Sequence, residues 1–564
     1  MPVVTFQRPD LCRLIGQEHS SDELGERMPM MGGDLDKIDG DAITIEWFPD
    51  RPDLLTLEGT GRALRAFLGN EPGMPTYDVA KATTELRVDP SVAKVRPYAA
   101  LCFVRDVPMD DDYVQTIIDA QEKLTLAPGR KRRKIAIGIH DAAPGGERLE
   151  GPFTYTCVGP DDKPFVPLAW DDGTALTPAQ IMEQHPKGQE YGHLLPDGLY
   201  PVFLDGKGDV LSLPPVINAA KTTVTAATRD LLLDVTGTDP ASVRRTIALL
   251  ATGFAERGGS IEAVTVHDAS GTWSCPDLRP AERTLDVEPA NTWLGIDLTA
   301  DEMADCLRRM GHGAEAYDTR ILVQTPAWRA DILHDVDLME DVAIGHGFEN
   351  FQGCLPTAVT HGGPLAHQGL EDRLRLLLVG HGMHEARTLT LSNEADQWTA
   401  WGEAAPEDGA VRVRNPVLEE QTILRTRLVP SLLRVLAANR HRELPQRLFE
   451  MGYVVHEDAG EPGAWRNRLR LGVVETAGKA GFSDAKGLAE ALLRDTGLDL
   501  RLAPGERPGL IPGRQGRFLT PEGTEVGWFG ELHPDTIVHF GLSAATLALE
   551  LDLAAVSAAT APAA

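Results

Sequence analysis

Lysine is scarce. Of 54 Lys and Arg residues, 12 are lysine, and none falls between Lys221 and Lys479. Against them stand 84 Asp and Glu, a net charge of −30. A Lys-poor, Arg-retaining acidic chain points to a salt-rich cytoplasm, where self-repulsion is screened. It does not exclude a locally basic nucleic-acid face. Cysteine is sparse too. The six cysteines (12, 102, 157, 275, 306 and 354) include no CxxC pair, which argues against a thiolate zinc site and fits a reducing cytosol. No apolar run reaches the roughly 18 residues needed to cross a bilayer. The opening MPVVTFQRPD has no basic region leading into an apolar one, so no secretory leader is expected. Walker A, GxSxG, and GxGxxG followed by an acidic residue are all missing, so a self-contained ATP site is not expected.

What is present is globular and long. At 564 residues with 42% hydrophobic composition, the chain exceeds the roughly 250–300 residues at which one core stops growing. The pattern predicts an α+β multidomain fold. Residues 1–85 form one domain, with a capping box at Ser20 and Glu23 and a strand in AITIEW. Residues 86–273 read as α+β, with strands in ALCFVRDV, KIAIGIHD, DLLLDVTG and SIEAVTVHD. Residues 274–352 carry a second capping box at Thr299 and Glu302. Residues 353–555 alternate helices with strands, and 556–564 is an Ala-rich flexible tail.

An internal repeat links the first and third of these. Residues 15–33 align without a gap to 294–312: Ile15 and Gly16 with Leu294 and Gly295, Ser20 with Thr299, Glu23 with Glu302, and Met31 with Met310. RPDLL at 51–55 then matches RADIL at 329–333. Two copies of one small fold are expected. Both keep the pair Arg51 and Asp53, or Arg329 and Asp331; only the second copy adds Asp337, Glu340 and Asp341.

Those added carboxylates raise the question of a metal. On a helix from 335, Asp337, Glu340 and Asp341 share one face, while Val336, Met339 and Ala343 form an apolar stripe. Hard oxygen donors with no His or Cys among them favour Mg²⁺ or Ca²⁺. A solvated acidic face fits the same spacing. GRKRRK is the one dense basic run; its Arg130, Lys131, Arg132 and Arg133 are candidate phosphate contacts or an exposed turn. Asp234 and Thr236 end an apolar strand, as pocket residues or as a turn. The histidines of HGGPLAH and HGMH lack partner ligands at a zinc spacing.

Taken together, RPDLLTLEG, KRRKIAIGIHD, LPPVINAAKTTVTAATRDLLLDVTGTD, WRADILHDVDLMEDVAIGHGF, NPVLEEQTILRTRLVPSLLRVLAANRHRELPQRLFEMG and GRQGRFLTPEGTEVGWFGELHP resemble the phenylalanyl-tRNA synthetase β subunit in its shorter archaeal/eukaryotic form. They run in the family's order over nearly the whole chain. The resemblance implies a phenylalanine–tRNA ligase subunit in an (αβ)₂ heterotetramer, with the ATP-dependent aminoacylation site on the α subunit. It implies duplicated winged-helix-like domains and a degenerate class II synthetase-like antiparallel sheet at 353–555. It also implies Mg²⁺ at Asp331, Asp337, Glu340 and Asp341, structural and at the subunit interface. For 86–273 it implies a domain that hydrolyses tyrosine wrongly attached to tRNA(Phe), with Asp234 and Thr236 at the pocket and Ser212 and Leu204 as weaker candidates. The partners implied are the α subunit and tRNA(Phe) in the cytoplasm, with no membrane. Two other readings compete: a metal-dependent phosphoesterase built on the carboxylates, and a non-catalytic assembly scaffold.

Overall fold

The computed structural model describes residues 2–170, 172–355, 360–365 and 367–560. Contacts divide the chain into two units, 1–355 and 356–564.

The first unit opens with strand β1 (Val3–Gln7), helices α1 (Arg8–Ile15) and α2 (Ser21–Arg27), strands β2 (Gly33–Asp39) and β3 (Ala42–Trp47), and helix α3 (Leu57–Phe67). The alternation in AITIEW buries Ile43, Ile45 and Trp47 and fixes the register of β3 between β1 and β2. Gly16 ends α1 at φ 82°, a conformation that suits glycine. Ser20 caps α2 through the Glu23 N–H at 3.1 Å.

The α+β region follows with β4 (Tyr98–Arg105), α4 (Asp111–Leu126), β5 (Ile135–Asp141), β6 (Phe153–Val158), β7 (Tyr200–Leu204), β8 (Val210–Leu213), β9 (Leu231–Gly237) and α5 (Pro240–Glu256). Strand β9 lies between β4 and β5, antiparallel to both, in a five-stranded sheet completed by Ser260–Glu262 and Val79–Ala80. Every residue of β9 is buried, as its unbroken apolar start suggests. A seven-stranded sheet contains β6, β7 and β8. SIEAVTVHD, expected as one strand, breaks at Ala263: Ser260–Glu262 joins the smaller sheet and Val264–Asp268 the larger.

The repeat is real in three dimensions. Strand β10 (Ala281–Asp286), helices α6 (Val287–Leu294) and α7 (Ala300–Arg309), and strands β11 (Gly313–Tyr317) and β12 (Arg320–Thr325) follow the order of the first copy. The last strand is central in each three-stranded sheet. Here the capping box is complete: the Glu302 N–H donates to Thr299 at 3.3 Å and the Thr299 N–H to Glu302 at 2.8 Å. Helix α8 (Asp335–His346) closes the copy. Its buried stripe is Leu338, Met339, Val342 and Ala343; Val336, expected in the stripe, is exposed at 43%.

The second unit is built on a seven-stranded sheet with helices on both faces. Helix α9 (Gln368–Gly380) precedes α10 (Val429–Ala438), β13 (Gln446–Glu457), β14 (Trp465–Thr476), α11 (Phe482–Thr496), β15 (Arg501–Pro504), β16 (Leu510–Leu519), β17 (Glu525–Leu532) and β18 (Thr546–Asp552). The order is His384–Glu385, β13, β14, β18, β17, β16, β15, antiparallel except at the first edge. Helices α9 and α11 cover one face through Leu374, Leu378, Leu488 and Leu492. Helix α10 covers part of the other through Leu432 and Leu436. Of the expected flexible tail, the chain through Thr560 belongs to a helix beginning at Leu553; 561–564 lie outside the described residues. No described helix is long and apolar enough to cross a membrane.

Candidate functional site

Two cavities in the first unit collect most of the residues singled out by sequence. The first, about 330 Å³, is walled by apolar side chains including Ile117, Ile137 and Val216, with Asp234, Ser212 and Thr222 among its polar lining. Asp234 is 2% exposed. Its Oδ2 lies 2.7 Å from His140 Nε2 and accepts the Ser212 hydroxyl at 3.2 Å. His140 Nδ1 meets the Thr222 hydroxyl at 2.8 Å. The result is a buried relay, Thr222 to His140 to Asp234, that fixes the carboxylate in an apolar setting. Gly138, opposite Asp234 on β5, makes room for it: a Cβ there would stand 2.0 Å from Asp234 Oδ2.

Thr236 and Leu204 are not in this lining. Thr236 points its hydroxyl at Arg96, whose Nε donates to it at 3.2 Å while Nη2 donates to its carbonyl at 2.8 Å. Arg96 is buried and makes no ion pair among the described residues, and burial pulls its guanidinium down to about 10 against the weaker opposing pull of Tyr155 and Asp234. Its Nη1 donates to the Arg132 carbonyl at 2.9 Å, tying β9 to the basic turn.

That turn is strained. Arg130, Lys131 and Arg132 hold φ of 51°, 52° and 64°, and left-handed backbone costs a non-glycine residue about 1 kcal/mol or more. The reversal sends the side chains to different places. Arg132 reaches the first cavity, donating to the Pro215 and Val216 carbonyls at 3.0 and 2.9 Å, with its guanidinium 4.3 Å from the Tyr191 ring. Arg130 lines the second cavity, and Lys131 and Arg133 are exposed.

The second cavity, about 560 Å³, has Arg130, Lys134 and Arg245 in its lining, along with Asp50, Asp331, Asp337 and Glu340. Three of the four expected metal-ligating residues thus share it. Asp341 does not. It is buried at 4% exposure, with Oδ2 held by His312 Nε2 at 2.6 Å and Arg329 Nη2 at 2.7 Å. Burial opposes its charge, but Arg329 and His312 outweigh burial and hold the carboxyl far below the usual range. Arg329 also grips Asp331, through Nε at 2.9 Å and Nη2 at 2.6 Å. Arg51 grips Asp53 in the same two-pronged way, at 2.9 and 2.7 Å, so the shared Arg–Asp pair is a fold element of both copies. Asp337 accepts the N–H groups of Leu333 and His334 at 2.7 and 2.6 Å, starting α8. Glu340 is left facing like charge: partial burial, then Asp341, Asp50, Asp337 and Asp331, raise its carboxyl.

The oxygen donors have the chemistry for a hard cation. Their present disposition is another matter, since among the described residues no group of three or more His, Cys, Asp or Glu is arranged to hold a metal ion. Arg329 already neutralises two of the four. A histidine does lie beside the carboxylates: His312 arrives from the turn after α7 and bonds Asp341. His140, Gly138, Arg96 and Asp50 were also missed. The faint signal for the first two was a glycine and a histidine two apart, on one face of the apolar strand IAIGIHD.

The family model described as the tRNA synthetase B5 domain matches residues 283–348, which span the second repeat copy. The model described as the phenylalanyl tRNA synthetase beta chain CLM domain matches 353–553. The phenylalanine–tRNA ligase beta subunit of Methanothrix thermoacetophila is 40% identical over 98% of this chain and 100% of its own length. That of Archaeoglobus fulgidus is 38% identical over 98% of each. A crystal structure of an N-terminal fragment of the Pyrococcus horikoshii phenylalanyl-tRNA synthetase beta subunit aligns with TM-score 0.58 and 34% identity. It covers 61% of this chain and 99% of the fragment. Matches of this kind define an aminoacyl-tRNA ligase subunit. The chain belongs to the phenylalanine–tRNA ligase beta-subunit family.

Proposed function

We propose that this subunit edits tRNA(Phe), hydrolysing mischarged tyrosine in the first cavity, while an α partner in an (αβ)₂ assembly carries out ATP-dependent aminoacylation. The observation that carries the reading is the buried Asp234, braced by His140 and Ser212 in the lining of a pocket that apolar side chains such as Ile117, Ile137 and Val216 help to wall. An apolar pocket rejects an added hydroxyl only weakly, so a synthetic site for phenylalanine passes some tyrosine. A second site selects tyrosine if it offers an acceptor that phenylalanine leaves unpaired. Both bracing bonds to Asp234 fall on Oδ2, and Oδ1 is the acceptor for the phenol. Hydrolysis then needs a positioned water rather than an enzyme nucleophile. Thr236 contributes indirectly by anchoring Arg96 and the basic turn. Arg130 to Arg133 supply phosphate contacts for the tRNA, with Arg132 nearest the pocket.

Mg²⁺ belongs to the second cavity in this reading, on Asp331, Asp337 and Glu340, with Asp341 reached only by displacing Arg329. Bound there, the cation would supply charge neutralisation.

Tyrosyl-tRNA(Phe) hydrolysis by the purified chain tests the editing assignment. Release of tyrosine, with Asp234→Ala slowed about 100-fold and still folded, is the expected outcome. An unaltered rate in Asp234→Ala would sink the pocket assignment, and no hydrolysis with or without the α partner would sink editing itself.

A further inference from the structure

The second unit contains a cavity of about 330 Å³ against the α10 side of its sheet, lined among others by Trp398, Arg427, His456, Arg470, Trp528 and Glu550. Strand register explains the assembly. Arg470 on β14 faces Asp552 on β18, and Glu550 on β18 faces Trp528 on β17. Cross-strand partners project to one side, so these side chains share a face. Leu471, Leu549 and Leu551 take the other, in the apolar core beneath α9 and α11.

Most of the charge on this face is already paired. Glu550 is buried at 1% exposure; its Oε2 accepts the N–H groups of Leu428 and Val429 at 3.0 and 3.2 Å, and its Oε1 accepts Arg470 Nη1 at 2.7 Å. It therefore both starts α10 and fixes the Arg470 guanidinium. Arg427 pairs with Glu403 through Nη2, and Arg507 with Glu525 at 3.0 Å.

After these bonds, three buried polar atoms have no partner: Arg427 Nη1, Arg470 Nε and His456 Nε2. All three belong to residues lining this cavity. Buried donors are ordinarily satisfied, and exceptions concentrated at one concavity mark what is meant to fill it. Burial, then Arg470 and Arg468, push His456 down to about 4, so at neutral pH it offers a hydrogen bond without charge. Trp398 and Trp528, 7% and 5% exposed, add flat apolar surface.

We propose that this cavity binds a small molecule with a carboxylate or phosphate on a flat ring, the oxyanion held by Arg427 Nη1 and Arg470 Nε and the ring against Trp398 and Trp528. Guanidinium donors suit planar or tetrahedral oxyanions, and the tryptophans favour a ring over an aliphatic chain. The site is independent of the editing pocket.

Isothermal titration of the full chain tests it, with benzoate and phenyl phosphate as ring-bearing probes and acetate and inorganic phosphate as ringless ones. The expected result is saturable one-to-one binding of a ring-bearing probe, with the ringless anions weaker and Arg427→Gln weakening the bound probe about tenfold or more. Which ring-bearing probe binds better separates a carboxylate from a phosphate ligand. No saturable binding of either, or affinity unchanged in folded Arg427→Gln, overturns the proposal. If Arg427→Gln does not fold, crystals of the unaltered chain soaked in 4-bromobenzoate decide: bromine signal between Trp398 and Trp528 supports it, and its absence there overturns it.

Discussion

Arg329 is shared between two aspartates, and that changes what the carboxylate cluster requires. Counting acids along WRADILHDVDLMED suggests a charge that only a cation can balance. The neutralisation is instead partly tertiary: Arg329 lies against Asp331 and Asp341, and His312 reaches Asp341 from 29 residues away. No local pattern reveals that last contact, whereas the Arg–Asp pair was visible because the repeat shows it twice. The two altered carboxyls predict opposite pH behaviour. Asp341 is held below its ordinary 3.8, so its stabilisation is present above that value and lost as pH falls through the lower folded value. Asp341→Asn should lose about 3 kcal/mol at neutral pH and show a shallower acid limb, read by urea unfolding across pH. Glu340 is raised, so its favourable contribution belongs to low pH and disappears as pH rises through the folded value. At neutral pH its charge works against the fold. Glu340→Gln should therefore raise the thermal midpoint in EDTA and forfeit any midpoint gain from Mg²⁺; an undiminished Mg²⁺ gain would remove Glu340 from the proposed metal site.

Elements were more legible than the contacts between them. Two capping signals, 279 residues apart and followed by matching glycines, identified the repeated small fold before any strand order was known. The copies do share their sheet order. The turn at 129–134 shows where reading stopped: its composition announced a basic segment, but nothing in GRKRRK announces three successive left-handed residues. That conformation exists because Arg96 and the chain end of α4 over-determine it, through bonds to the Arg132 carbonyl at 2.9 Å and from the Arg132 N–H to Thr125 at 3.0 Å. Lys131 provides the test, being exposed with φ 52°. Lys131→Gly and Lys131→Ala remove the same charge, but only glycine relieves the backbone. The glycine variant should be more stable than the alanine variant by about 1 kcal/mol, and both should lose tRNA affinity equally. A more stable alanine variant would mean that the turn is not strained in solution.

At the scale of the whole molecule, a charge of −30 sets stability and RNA binding against each other. Added salt shortens the Debye length from about 10 Å at 0.1 M to about 3 Å at 1 M, which relieves acidic self-repulsion. The same salt weakens phosphate contacts, with a slope set by the number of cations engaged. In the proposed function this chain offers tRNA a few arginines and lysines at one turn, so its salt slope should be shallow. Specific grip would then come from the braced carboxylate and apolar walls of the proposed editing pocket, which salt affects little. The expected pattern is a thermal midpoint that climbs steeply with KCl while tRNA(Phe) affinity falls slowly, measured on the same preparation by scanning calorimetry and filter binding. A midpoint unmoved by KCl would remove the salt-adapted reading of the surface. A steep loss of affinity would mean that more cations meet the tRNA than the basic turn contains, and that the main RNA-binding surface lies elsewhere.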